Sequence, residues 1–417
     1  MMNEQKVPQL RFSGFEDEWE EKIFQDLFER RMERNNGQFG YDRWISVAKM
    51  YFQEPEKVTS NNIDTRTYVM RKSDIAFEGH SNKEFKLGRF VENDIGDGVI
   101  SELFPIYKHK DEYNLSYWKY AIQNENIMFP KLTKCIEVSY TSSNKLDENF
   151  FLNEKILVPI VREQQKIGFF LSQIDTLIQT KTQKLESLKS VKKSLLQKCF
   201  PKAGEKVPEM RFESNKEWAS INFEDCFSFL SNNSFSRDEL NYEKGYIKSL
   251  HYGDVLIKFG EILNVSTASL PYITQINAPK QYSKSILKNG DIVIADAAED
   301  NTVGKCTEIQ NCTELLAAGL HTIAVRPKIE FAPTFLGFCI NSESFHNQLL
   351  PLIQGTKVSS ISKSAIVDTV IYYPISITEQ QKIGQFFSKY DSLISVQQKE
   401  IDKLKNIKKS LLQKMFV

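Results

Sequence analysis

The side chains best suited to metal ligation or nucleophilic attack are five histidines (His80, His109, His251, His321, His346) and six cysteines (Cys135, Cys199, Cys226, Cys306, Cys312, Cys339). Neither set is spaced for that work. A protein zinc site groups its ligands so that one turn faces one ion, whereas here each histidine is isolated and no CxxC pair occurs. The thiols read as reduced and mostly buried. Gly304-Lys305-Cys306 lacks the upstream glycine and the hydroxyl of a phosphate-cradling loop. No HExxH, no Pro-Cys nucleophile and no DPPY-like or NPPF-like tetrapeptide is present. What does recur is hydrogen-bond donors in loops. Arg71 and Lys72 precede one short apolar run, and His80, Asn82, Lys83 and Arg89 follow it. Asn301 and Lys305 follow another, and Gln354, Thr356, Lys357 and Ser359 lie further on. Arg, Lys, Asn and Gln make the bidentate contacts that distinguish base edges. The residues point to recognition, with no catalytic group and no metal ligand.

The elements that must position these loops are duplicated. EQQKIG occurs at 163–168 and again at 379–384, and from there to Phe200 and Phe416 the two copies agree at 21 of 38 positions, closing on KKSLLQK. Upstream, VPQLRF at 7–12 is echoed by VPEMRF at 207–212, each followed by a tryptophan, Trp19 and Trp218. A period near 200 residues means duplicated domains. The middles diverge, sharing only a polar turn with Asp followed by a β-branched run: RKSDIAFEG at 71–79, GDVLIKFG at 253–260 and KNGDIVIAD at 288–296. Each reads as a turn entering a buried strand, so the variable domains are expected to be α+β (mixed α/β). Arg30, Arg31 and Arg34 read as a solvated helix face or a phosphate contact.

The repeated ends are helices with apolar residues at a 3.5-residue period, the mark of a pairing seam. The first seam runs Ile167, Leu171, Ile174, Ile178, Leu185, Leu188, Leu195 and the second Ile383, Phe387, Tyr390, Ile394, Ile401, Leu404, Leu411. Polar residues interrupt both at the same places: Lys181 with Gln397, and Lys192 with Lys408. Such a residue either fixes register or snorkels at the seam edge. Each helix is about 55 Å long. Two like helices related by a two-fold axis pair antiparallel, as an antiparallel coiled coil.

The net charge of +0 hides a split: residues 162–200 hold eight basic and three acidic side chains, and 379–417 eight and four. Elsewhere any nucleic-acid contact must come from local patches. Hydrophobic content of 41% and a mean hydropathy of -0.40 supply core material for a soluble protein. No apolar run is long enough to span a membrane and no secretory signal pattern opens the chain, so a cytoplasmic location is expected.

Duplicated EQQKIG…KKSLLQK helices, each preceded by a divergent domain opening VPxxRF…W, resemble the specificity subunit of bacterial type I restriction-modification enzymes over essentially the whole chain. The resemblance implies target recognition domains at 1–160 and 201–377 and conserved helical regions at 161–200 and 378–417. Each domain would read one half of a bipartite site in double-stranded DNA, and the paired helices would set the gap and dock two methyltransferase (modification) subunits. Restriction (translocase-nuclease) subunits would complete the cleaving enzyme. S-adenosylmethionine, ATP and Mg are then expected only in those partners, and no cofactor in this chain. The competing class is a coiled-coil scaffold joining two protein-binding domains; sequence-dependent, strongly salt-dependent DNA binding separates the two.

Overall fold

The computed structural model describes residues 6–59, 62–139, 143–202, 204–213, 216–274, 285–355 and 358–417. Its contacts divide the chain into two units, Met1–Thr182 with Lys399–Val417, and Gln183–Gln398. Both are mixed α+β, and the repeated segments form two long helices, α1 (Val161–Cys199) and α2 (Ile377–Lys414).

In the first unit, four antiparallel strands run in the order Phe28–Arg31, Ile106–His109, Ile75–Glu78, Arg89–Glu92. RKSDIAFEG does form a strand, and all four residues from Ile75 to Glu78 are buried. Arg30 and Arg31 lie on a strand rather than on the helix face read from their spacing. Alternation puts Phe28 and Arg30 on one face, where Arg30 lies 5.5 Å from the Tyr107 ring centroid, and Arg31 on the other, where it pairs with Asp74. The domain is closed by the antiparallel pair Glu20–Ile23 and Lys155–Val158, which delivers the chain to α1. The core joins Trp19, Phe28, Trp118 and Phe151 to Ile167 and Leu171 of α1 and to Met415 and Phe416.

The second unit repeats this closure with different contents. Ala219–Asn222 pairs with Val370–Tyr373 and leads into α2. Five strands run in the order Phe227–Leu230, Thr322–Pro327, Ile292–Ala295, Cys306–Gln310, Ile262–Asn264, the last pair parallel. GDIVIAD is the fully buried central strand. GDVLIKFG, read as a strand, is instead a π-helical turn over Asp254–Lys258. Its Asp254 is buried in a two-oxygen ion pair with Arg237, and the Phe259 N–H donates back to the Asp254 carbonyl. That local bonding outcompetes a strand ladder. The core joins Trp218, Phe227 and Phe335 to Ile383 and Phe387 of α2 and to Cys199 and Phe200.

Each repeated motif has a structural task. Arg11 makes two bonds, 2.7 and 2.8 Å, to Glu163; Arg211 makes the same two, 2.7 and 2.8 Å, to Glu379. Both carboxylates are 1% exposed. The next glutamine anchors the entry to each helix, Gln164 donating to the Pro159 carbonyl and Gln380 to that of Pro374. The glycines permit close packing: a Cβ on Gly168 would lie 2.6 Å from the Tyr117 nitrogen, and one on Gly384 2.3 Å from Thr334 Oγ1. The VPxxRF segments also cap helix ends, with Leu10 N–H donating to the Lys414 carbonyl and Met210 N–H to that of Lys198.

No helix among the described residues is long and apolar enough to cross a membrane. No group of His, Cys, Asp and Glu among them is placed to hold a metal ion. His109 stacks on Tyr113 at 3.3 Å, and burial pushes its pKa down to about 3. Burial also pushes the thiols of Cys135 and Cys199 up to about 11 and that of Cys226 up to about 12. These are packing groups, held neutral.

Candidate nucleic-acid interface

The loop after Ile75–Glu78 is held from within. Asn82 accepts from the backbone N–H groups of Glu84 and Phe85 through its side-chain oxygen, closing a tight turn. His80 Nδ1 lies 2.7 Å from Glu78 Oε1. Arg89 is the hub: its guanidinium covers the Phe85 ring at 4.8 Å, donates to the Ala48 carbonyl, and lies 3.6 Å from Glu78 Oε2. Glu78 is itself buried. Of the donors read from the sequence here, His80, Asn82 and Lys83 are exposed, while Arg89 is half-buried and occupied. The Arg89–Ala48 bond ties the adjoining turn at 46–50 to this edge, and Asn144 N–H donating to the Gly79 carbonyl brings residue 145 there. Nothing in the sequence linked Lys49 or Lys145 to this loop.

Arg71 is engaged by Glu33, Asp97 and Gln38, and the Glu33 bond, then Asp97, holds its pKa well above the ordinary arginine value. Lys72 beside it is exposed. Arg34 pairs with Glu102 and lies over the Tyr68 ring. In the second unit Asn301 is exposed and its carbonyl lies 3.1 Å from His346 Nε2. Lys305 is half-buried, donates to the Leu256 carbonyl, and has its pKa lowered by burial. Gln354 and Ser360 exchange backbone bonds, and Ser359 pairs with Ala298. Thr356 and Lys357 lie outside the described residues. A cluster the sequence did not signal surrounds the π-turn: Ile257 is 89% exposed, next to Lys258, which lies 5.3 Å from the Tyr242 ring.

On the helices, Ile167, Leu171, Leu185, Ile383, Phe387 and Ile401 are buried. Ile174, Ile178, Leu188, Leu195, Tyr390, Ile394, Leu404 and Leu411 are half-buried. The polar interruptions are paired. In the first unit Lys181 bonds Glu400 and Lys408 bonds Asp175, both at 2.6 Å, so the two helix segments there run in opposite directions. In the second unit Lys192 bridges Asp391 at 2.5 Å and Glu261 at 2.8 Å.

Two repeated clamps, two opposed helix segments and two unlike domains are the features to set beside known proteins. The profile of the type I restriction modification DNA specificity domain matches residues 95–190 and 215–406, more than half of the chain. The chain belongs to this family. Among curated members, the type I restriction enzyme MjaVIII specificity subunit of Methanocaldococcus jannaschii is 24% identical over 387 residues, spanning 89% of this chain and 84% of that one. A putative type I restriction enzyme MjaX specificity subunit of the same organism is 25% identical over 154 residues, 36% of each chain. Among solved structures, the type I restriction-modification S subunit from M. genitalium superposes with a TM-score of 0.54 at 14% identity, covering 99% of both chains. A chain from a study of complex assembly and conformational transition in a type I restriction-modification system gives 0.57 at 14% identity, covering 95% of this chain and 97% of that one. At that identity the superpositions speak for the fold: this family's specificity domain is present twice, with its two long helices.

Proposed function

We propose that this chain is the DNA-reading, non-catalytic subunit of a cytoplasmic type I restriction-modification complex. Each recognition domain reads one half of a bipartite site, and the paired helices, as an antiparallel coiled coil, fix the gap. The observation that carries this reading is the division between what is repeated and what is not. The Arg11–Glu163 and Arg211–Glu379 clamps and the helix entries recur bond for bond, while the loops between them differ in sequence and fold. A common frame holding two different reading heads suits an asymmetric two-part target. Major-groove edges distinguish all four base pairs, and successive groove faces recur about every 34 Å, within the reach of helices about 55 Å long.

Methylation and cleavage belong to partner subunits, which would bring S-adenosylmethionine, ATP and Mg. The helices offer equal docking surfaces for two modification subunits. Leu177 and Leu393 occupy the same position in the two copies, as do Val191 and Ile407, and all four are 41–54% exposed. An apolar residue left exposed at matching places in both copies suits a partner that binds twice. The test is co-expression with the cognate modification subunit in a methylation-free host and genome-wide mapping of modified bases. The expected result is one motif of two short halves with a fixed unspecified gap. A stable complex that binds DNA without sequence preference would favour a scaffold instead.

A further inference from the structure

We infer that Lys49, Lys83, Lys86 and Lys145, gathered around Arg89, form a phosphate-gripping edge of the first recognition domain. This rests on the DNA-reading function proposed above and says where, on one domain, the backbone is held. The four lysines are far apart in sequence and are brought together by identifiable bonds. Arg89 joins the 46–50 turn to the loop through the Ala48 carbonyl and covers Phe85 between Lys83 and Lys86. The Asn144–Gly79 bond brings Lys145 to the start of the same loop. All four are exposed, and among the described residues none makes an ion pair. Elsewhere in this domain Lys57 pairs with Glu54, Lys108 with Glu29 and Lys134 with Glu154, while Lys72 and Lys110 are exposed without an ion pair among the described residues but lie away from this cluster in sequence. The acids facing the edge are fewer. Glu78 is buried and engaged by His80 and Arg89. Glu84 is exposed, and Glu125, close enough to feel its charge, is part-buried.

Flexible ammonium groups without acidic partners lose no ion pair when they meet phosphate, and they act there as point charges that carry no sequence information. The rigid turn under them, with Phe85 5% exposed, fixes their spacing before DNA arrives. Together the four lysines hold the backbone along this edge, leaving base reading to neighbouring loops.

The test uses the full chain co-purified with its modification subunits, and a labelled duplex carrying the motif mapped by methylation beside a scrambled duplex of equal length. Binding is measured from about 50 to 200 mM KCl for wild type, for a K49A/K83A/K86A variant, and for a K57A/K108A/K134A control. Each lost phosphate contact flattens the log–log salt slope by about 0.9. The first variant should thus show a slope shallower by about 2.7, a salt penalty smaller by about 40-fold over that range, with its methylated motif and unfolding midpoint unchanged. The control should keep the wild-type slope. A specific wild-type complex whose slope is untouched by the first variant overturns this inference alone. A wild-type complex that binds target and scrambled duplex equally overturns the DNA-reading function, and this assignment with it.

Discussion

Replacing Lys192 by Met should destabilise the second unit far more than the sequence-equivalent Lys408→Met destabilises the first. Lys192 is 10% exposed and neutralises two carboxylates, Glu261 at 19% and Asp391 at 38% exposure. Methionine keeps the volume but leaves both acids facing each other. Breaking a buried ion pair costs about 3–5 kcal/mol; with Asp391 partly in solvent, the expected cost is about 2–4 kcal/mol. Lys408 is 25% exposed and, among the described residues, pairs with one carboxylate, Asp175, which keeps a 2.7 Å bond from the Tyr120 hydroxyl. Its loss should cost about 1 kcal/mol. For a unit of this size that is about 5–15 °C in unfolding midpoint against about 2–4 °C. The pH dependence supplies a second readout. Burial already raises the Asp391 carboxyl above its ordinary value, and removing the ammonium raises it further. A carboxyl raised in the folded state contributes stability at low pH that is lost as pH rises through the folded value. The Lys192→Met deficit should therefore shrink as pH falls from neutrality toward the ordinary carboxylate range. Burial pulls the Lys192 amine down, but Glu261 and Asp391 together more than offset it and raise it above its ordinary value, so the wild-type bridge persists until pH climbs past the ordinary lysine range. Equal deficits for the two variants, or a Lys192→Met deficit flat across that pH range, would refute the reasoning.

Three further outcomes are expected. Arg11→Met and Arg211→Met should each lower the unfolding midpoint by an equivalent of about 3–5 kcal/mol, because each strands a carboxylate 1% exposed; adding Glu163→Gln to the first should recover part of the loss in a thermal scan. Arg89→Met should leave the methylated motif intact but expose the 80–89 loop, read as faster tryptic cleavage at Lys83 and Lys86; an unchanged cleavage rate removes Arg89 as the hub. Inserting seven residues into α1 between Thr180 and Leu185, with seven more into α2 between Val396 and Ile401, lengthens the spacer by about 10 Å. The gap in the methylated motif should widen by about three base pairs with both halves unaltered, and an altered half with an unchanged gap would sink the spacer role.

The duplication, the helices and their apolar stripe were legible because they are periodic, and periodicity survives without knowledge of tertiary partners. Strands at Ile75–Glu78 and Ile292–Ala295 were legible from a polar turn with Asp running into a short apolar stretch. The same pattern misled at Asp254–Lys258, where a distant Arg237 engages the aspartate and the backbone closes a π-turn. Loop cations were the weakest ground. Arg71, Arg89 and Lys305 look like free donors in sequence, yet their acceptors, Glu33, Asp97, the Ala48 carbonyl and the Leu256 carbonyl, come from other segments. The clamp did leave a signal. In both copies VPxxRF carries an arginine and EQQKIG a glutamate, 152 and 168 residues apart, and opposite charges repeated in register are candidates for a shared bond.

The helix orientation was written in the sequence in the same way. Asp175 and Asp391 occupy one position of the repeat, and Lys192 and Lys408 another. Two copies of such a helix laid parallel and in register would set aspartate against aspartate and lysine against lysine. Laid antiparallel, each lysine meets the other copy's aspartate, as Lys408 meets Asp175 and Lys192 meets Asp391. A slip of one heptad, about 10 Å, would separate both pairs beyond any direct bond. A heptad stripe alone permits either direction and several registers. One acid and one base per copy, placed asymmetrically and then duplicated, select a single arrangement, and the apolar positions need only fill it.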